Sequence, residues 1–264
     1  MSRVVLKTTE QIEGIRASAK VLSNLLVEIA KVIRPGITTL SLDTLAQEYI
    51  ADHKGTPAFL NYQGFPNALC ISVNDEVVHG IPGDYVLQEG DVISVDGGVN
   101  LDGYISDSAY SFPVGEIDAD VQQLLSVTKD ALDKGVEKAT QGNRIGDISA
   151  AVQDYVTPYG YGIVKELVGH GVGLDLHEGP EVPNYGRRGN GVKLQSGMVL
   201  CIEPMINAGT AGVDFLSDGW TVKTRDGKYS AHYEKMVSVA KGQPDVLLDF
   251  VDIEEVLKER GLFC

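Results

Sequence analysis

The sequence predicts an α/β (α+β) fold made of two pseudo-twofold halves, each ordered helix, helix, strands. Three observations lead there. An amphipathic helix pair precedes a set of extended segments, and the same order restarts near residue 120. Matching residues also recur at a fixed offset of 106. Gln47-Glu48-Tyr49-Ile50 matches Gln153-Asp154-Tyr155-Val156, Gly36 matches Gly142, and Leu42 matches Ile148. A repeat of this size predicts helices packed outside a central curved sheet. No Pro/Ser-rich linker or charge block divides the chain. One domain over residues 1–264 is therefore expected, with halves at about 8–112 and 118–240 and a tail at 242–264.

The first helix is capped by Thr8 or Thr9 and carries Ile12, Ile15, Ala19, Leu22, Leu26, Ile29 and Ile33 at helical spacing. It stops at Arg34-Pro35-Gly36. A second helix runs from about Ser41 to His53 and ends near Gly55. Extended segments follow at 68–73, then a hairpin of strands 92–99 and 104–112. The repeat supplies helices at about 120–139 and 146–156. After these come strands at 161–168 and 198–203, and a hairpin from Trp220 to Val239 turning at Asp226-Gly227. A short strand and a charged helix over 253–260 close the chain.

The first hairpin carries the main chemical clue. Asp96 and Asp107 flank Asn100-Leu101-Asp102-Gly103. A symmetric four-residue loop pairs Val99 with Tyr104 and sets Asp96 directly opposite Asp107, with Cβ atoms roughly 5 Å apart. A bulge would shift that pairing. Aspartate is uncommon inside strands, and two facing carboxylates repel unless a proton or a cation lies between them. A divalent metal site outweighs the alternative of two solvated edge aspartates.

The second half offers partners. His170 stands in Gly169-His170-Gly171-Val172-Gly173, a glycine-rich turn whose small neighbours would leave the imidazole accessible. Glu203 ends the apolar strand Met198-Val199-Leu200-Cys201-Ile202, where a buried carboxylate needs a partner. Glu234 lies in Tyr233-Glu234-Lys235-Met236-Val237; adjacent Lys235 points to the opposite face of a strand and is a poor partner. Asp96, Asp107, His170, Glu203 and Glu234 form an oxygen-rich set suited to two divalent ions sharing carboxylates at roughly 3.5–4 Å. Fe(II), Mn(II), Co(II) and Zn(II) all suit it, and the chemistry expected is hydrolysis by activated solvent. His79, before Gly80-Ile81-Pro82, and His177, in Leu176-His177-Glu178-Gly179-Pro180, are outside the set. Each is either a surface histidine or a donor to a scissile carbonyl or its oxyanion.

Composition removes other classes. A net charge of −15 argues against nucleic-acid phosphate as a partner. No stretch approaches the ~18 apolar residues of a membrane span. Cys70, Cys201 and Cys264 are too few and too scattered for a disulfide framework. With no signal-length apolar run near Met1, a reducing cytoplasm is expected.

Taken in order, Asp96, Asp107, Gly169-His170-Gly171, Ile202-Glu203-Pro204 and Tyr233-Glu234 resemble the type I methionine aminopeptidases. So do Asn74-Asp75-Glu76-Val77-Val78-His79-Gly80-Ile81-Pro82, His177-Glu178-Gly179-Pro180 and Asp218-Gly219-Trp220-Thr221-Val222. The resemblance spans about Thr8 to Val239. It implies the pita-bread fold, with a mostly antiparallel curved sheet. It implies that Asp96 chelates one ion, that Asp107 and Glu234 bridge both, and that His170 and Glu203 complete the other, with Glu203 the proton shuttle. It places His79 at the scissile amide, His177 at the carbonyl oxygen and the substrate's free amine at the ion carrying Asp96. The reaction implied is removal of the initiator methionine from nascent polypeptide N-termini when the next residue is small, with the ribosome a transient partner and the enzyme a monomer. Phe59, Tyr62, Phe65, Cys70, Leu176 and Trp220, with His79 and His177, match the methionine-binding positions. Three depart from the family's usual residues: Phe59 replaces a cysteine, Phe65 a tyrosine and Leu176 a phenylalanine. A monovalent cation (Na or K) near Asn74, Glu76 and Ser230 is a weaker carry-over.

Two rivals share the ligand set. One is an X-Pro aminopeptidase, prolidase or creatine-type hydrolase; these usually carry a long N-terminal domain, whereas only about 90 residues precede Asp96 here. The other is a non-catalytic homologue, which all five ligands and both histidines argue against.

Overall fold

The computed structural model describes residues 4–262, so Cys264 lies outside it. Helix α1 (Thr9–Val32) begins where Thr8 accepts from the Gln11 N–H while the Gln11 side chain accepts from the Thr8 N–H. This reciprocal cap satisfies two backbone donors that a helix start leaves unpaired. One face of α1 buries Ile15, Ala19, Leu22, Leu26 and Ile29. Helix α2 (Thr39–Asp52) follows, capped by the Thr38 hydroxyl. The first half then lays down β1 (Thr56–Pro57), β2 (Leu69–Val73), β3 (Glu76–Val78) and the hairpin β4 (Val92–Leu101) and β5 (Tyr104–Pro113).

The second half repeats the order with α3 (Ala119–Val136) and α4 (Ile145–Val156). Its strands are β6 (Gly162–Ile163), β7 (Gly169–Gly171), β8 (Glu178–Val182), β9 (Val199–Ile202), β10 (Met205–Asn207), β11 (Val213–Phe215), β12 (Val222–Thr224), β13 (Ser230–His232) and β14 (Lys235–Ser238). The tail adds β15 (Asp245–Val246) and α5 (Val251–Glu259), and Arg260 donates to the Ala30 and Ile33 carbonyls at the end of α1.

The duplication runs deeper than the helices. Each half enters its main strand through Leu-Gln-x-Gly, at Leu87–Gly90 and Leu194–Gly197. Gly36 donates to the Leu87 carbonyl and Gly142 to the Leu194 carbonyl. Thr38 bridges Val86 as Arg144 bridges Lys193. The offset is 106 at the helices but 107 at these turns, so a search at one offset blurs the second match. At 107, Asp96 at position five of β4 matches Glu203, the residue after β9.

Every pairing between these strands is antiparallel, and among the described residues they form four hydrogen-bonded sheets. The two halves are stitched at β5. Glu234 donates its N–H to Ala109, the Ser108 hydroxyl donates to the Glu234 carbonyl, and Ser111 exchanges hydrogen bonds with the His232 backbone. One apolar cluster draws on α1, β4, β5, α3, β9, β14 and the tail.

The strand expected over 161–168 is only Gly162–Ile163, and both hairpin expectations need correction. The first hairpin has a two-residue turn, not four. Leu101 pairs with Tyr104 across Asp102 (φ 53°) and Gly103 (φ 86°), so Asp96 lies opposite Ala109 and Asp107 opposite Gly98. Both turn residues take the left-handed conformation that matches strand twist. The register moves by two, an even number, so Asp96 and Asp107 keep a common face as diagonal neighbours. The second expected hairpin does not form as one ladder. β12 pairs with β11 and β3, while β13 pairs with β10.

Candidate metal centre

The carboxylates converge from both halves. Asp107 and Glu234 are 3% and 2% exposed and flank the seam. The Asp107 oxygen lies 3.7 Å from His170 Nε2, and Glu203 Oε1 lies 3.5 Å from the same nitrogen. Asp107, His170 and Glu234 each place a donor atom within 4.8 Å of the others. Asp96 Oδ1, Asp107 Oδ1 and Glu234 Oε1 are buried with no hydrogen-bond partner. All five expected ligands line one cavity of about 240 Å³, and no lysine or arginine is among its lining residues.

The electrostatics follow from that geometry. Burial pushes the Asp96 carboxyl up to about 7. Burial raises Asp107 well above its usual range, and the charges of Glu234 and Asp96 add to it. Glu203 rises through burial and then Asp107 and Asp96; Glu234 rises through burial and then Glu203 and Asp96. Burial and mutual repulsion therefore favour the protonated carboxyls unless a cation lies among them. His170 is driven the other way, to about 3, by burial and then His177. It is a neutral imidazole whose Nδ1 lies 2.9 Å from the Gly171 carbonyl, which leaves Nε2 facing the carboxylates. Buried carboxylate oxygens without partners, beside a neutral imidazole, fit one or two divalent cations.

The glycines around His170 have a reason other than access. A Cβ at Gly169 would lie 2.4 Å from the Cys201 carbonyl oxygen, and one at Gly171 would lie 2.5 Å from that of Gly179. The glycines let β7 fit between β9 and β8, and that fit sets the imidazole against Glu203.

The expected pocket residues also meet. Phe59, Phe65, Cys70 and Leu176 form a buried apolar cluster, with Tyr62 and Trp220 packed against it. The Phe65 and Trp220 rings meet edge-on at 5.1 Å. The added bulk of Phe59 lies over Gly98, where a Cβ would come within 2.9 Å of its ring. Buried Asp43 fixes the segment leading to Cys70, because one of its oxygens accepts from both the Ala68 and Leu69 N–H groups. Cys70 and Cys201 are free thiols that burial holds neutral.

His79 and His177 line the same cavity. His79 has φ 59°, a strained backbone for a histidine, of the kind found at functional sites. Burial, then His177, lowers its pKa to about 4. The imidazole meets Trp220 edge-on at 6.3 Å. His177 Nδ1 lies 2.9 Å from the Tyr62 hydroxyl, and its ring is 4.2 Å from that of His170.

Two residues were missed. His232, 1% exposed, lines the cavity with neither ring nitrogen bonded, and its Nε2 is 3.7 Å from Glu203. Cys201 places its sulfur within 4.8 Å of Asp107, His170 and Glu234 donors. A strand signal was present for both, since His232 precedes Glu234 by two and Cys201 precedes Glu203 by two. A neutral thiol is a weak ligand, so Cys201 stands here as a neighbour of the carboxylates.

Comparison with known proteins bears on this geometry. The profile of metallopeptidase family M24 matches residues 13–241. The chain is 48% identical over 244 residues to the methionine aminopeptidase of Clostridium perfringens, covering 92% of this chain and 98% of that protein. The crystal structure of methionine aminopeptidase from Thermotoga maritima superposes with a TM-score of 0.91 at 40% identity, over 93% of this chain and 99% of that one. The prolidase from Pyrococcus furiosus shares the fold more distantly, with a TM-score of 0.76 at 22% identity over 93% of this chain and 65% of that one.

Proposed function

The chain belongs to metallopeptidase family M24, and from that footing we infer that it removes the N-terminal initiator methionine from nascent proteins and peptides when the next residue is small. One observation carries the reading: a cup of buried, unpaired carboxylates opens onto a small apolar pocket in a single cavity of about 240 Å³. That cavity suits one side chain, not a long stretch of peptide.

The enzyme uses divalent metal. Asp96, Asp107, His170, Glu203 and Glu234 would hold two ions, from among Fe(II), Mn(II), Co(II) and Zn(II). Bound ions supply neutralising charge and solvent of lowered pKa. The residues do the rest. Phe59, Tyr62, Phe65, Cys70, Leu176 and Trp220 take the methionine side chain and exclude water around it. Glu203 accepts the proton of the attacking water. The water oxygen bonds to the carbonyl carbon, His177 donates to the carbonyl oxygen, and His79 contacts the scissile amide. The C–N bond then breaks, and Glu203 passes its proton to the leaving nitrogen. The substrate's free amine sits on the Asp96 side, which limits cleavage to the first residue.

A monovalent cation would lie by Asn74, Glu76 and Ser230, where the Asn74 carbonyl already accepts from the Ser230 N–H. The protein works as a single catalytic domain and a monomer in the cytoplasm, meeting the ribosome transiently. No helix among the described residues is long and apolar enough to cross a membrane. The large apolar cluster that draws on both halves supports one domain.

The test is a peptide panel with added divalent ion. Release of methionine from Met-Ala-Ser is expected. Cleavage confined to X-Pro peptides overturns the reading in favour of a prolidase-type hydrolase.

A further inference from the structure

The loop that carries His177 is closed by an ion pair outside the site. Glu178 lies in β8, one residue past His177, with its side chain 2% exposed. Its Oε1 accepts from the N–H groups of Leu174 (2.8 Å) and Asp175 (3.1 Å), which ties off the 174–178 turn. Its Oε2 accepts from the Lys7 ammonium, whose side chain is 1% exposed. Lys7 is itself anchored, since its N–H donates 2.7 Å to the Gly197 carbonyl in the turn before β9. Val4 bridges Gly179 on the other side of the pair. The N-terminal segment therefore forms a strap with one end on the turn that leads to Glu203 and the other on the turn that carries His177.

We propose that Lys7 is a positioning residue for catalysis, acting through Glu178 to hold His177 over the scissile carbonyl. The proposal rests on the reading of His177 given above. Leu176 needs no strap, because it is buried in the apolar cluster with Phe59, Phe65 and Cys70. His177 is exposed, and the Tyr62 hydroxyl is its side-chain hydrogen-bond partner. Its placement depends on the loop backbone. A buried charge left without its partner is costly, so the strap does not swing free while both charges remain. Loss of the strap should therefore reduce turnover more than methionine binding.

The test is a double-mutant cycle on the metal-loaded enzyme with Met-Ala-Ser. Lys7→Met is expected to lower kcat by about tenfold or more with KM little changed, as misplacement of a reacting group does. In a His177→Ala background the same substitution is expected to cost nothing further. Lys7→Met/Glu178→Gln removes both charges and keeps an amide oxygen to accept from Leu174 and Asp175. It guards against simple unfolding and should show the same kcat loss with a cooperative thermal transition. Recovery of kcat in that variant would trace the loss to a stranded charge and overturn the strap. An equal loss with and without His177 also overturns it, and so does an unchanged kcat in folded Lys7→Met. If His177→Ala alone leaves kcat intact, the reading of His177 fails first and this one with it.

Discussion

Strands β4 and β9 are the same device built twice, and they end differently. Each follows a Gln-x-Gly turn with near-identical bonds: Asp91 N–H to Gln88 and Met198 N–H to Gln195, both 3.2 Å. Val114 then donates to Asp91 and Val239 to Met198, both 2.8 Å. Five residues in, each strand presents an acid. Asp96 sits inside a ladder with Cys70 on one side and Ala109 on the other. Glu203 falls one residue beyond the last β9 pair, Ile202 with Lys235, and Pro204 follows it with no N–H to continue the ladder. The first acid is clamped, and the second is freed at a strand end between His170 and His232. On the proposed roles, the duplicated frame would give a fixed ligand from one half and a proton carrier from the other.

The largest effect should come from the first-half carboxylate that reaches His170 of the second half. Asp107→Asn is expected to abolish turnover while circular dichroism stays unchanged, because Asp107 touches His170 and faces Asp96 and Glu234. Wild-type turnover in this variant would contradict the site. The sharper comparison is Asp96→Asn against Glu203→Gln. The first should lose activity that excess divalent ion restores. The second should lose roughly 10²- to 10⁴-fold in kcat, the range of general acid–base catalysis, and excess ion should not restore it. Equal rescue of both would erase the distinction between clamped ligand and proton carrier.

The legibility of these features followed their physical scale. Helices α1 and α2 were readable because long amphipathic periods and caps are local. The shared face of Asp96 and Asp107 survived a register error because faces repeat every second residue. The register itself was not readable. Asn100-Leu101-Asp102-Gly103 admits either a two- or a four-residue turn, and the choice rests on whether Asp102 accepts a left-handed backbone. The partners of β12 and β13 were also hidden, since a local Asp226-Gly227 turn says nothing about distant strands that capture each arm. His232 was not legible because its closeness to Glu203, 29 residues away in sequence and 3.7 Å away in space, is set only by the tertiary fold.

Next in size is the loop histidine that neither strand supplies. His79→Ala is expected to lower kcat by roughly 10²-fold, as loss of a transition-state hydrogen bond does. A raised KM with unchanged kcat would mark a binding role instead.

The smallest effect separates the clamped acid from that histidine by pH, in chelated protein. The folded pKa of Asp96, about 7, exceeds the ordinary 3.8. Its contribution to stability is full below 3.8 and is lost as pH rises through 7. His79 runs oppositely. Its folded pKa, about 4, is below the ordinary 6.5, so its contribution is full above 6.5 and is lost as pH falls through 4. At ~1.4 kcal/mol per pKa unit, the His79 loss is roughly 3 kcal/mol. Thermal melts should show Asp96→Asn gaining on wild type as pH rises from 4 to 7, and His79→Asn gaining as pH falls from 6.5 to 4. Divalent ion should abolish the first trend, because it takes the proton's place among the carboxylates, and leave the second. If both trends vanish together on adding ion, His79 belongs to the metal cup and not to the pocket wall.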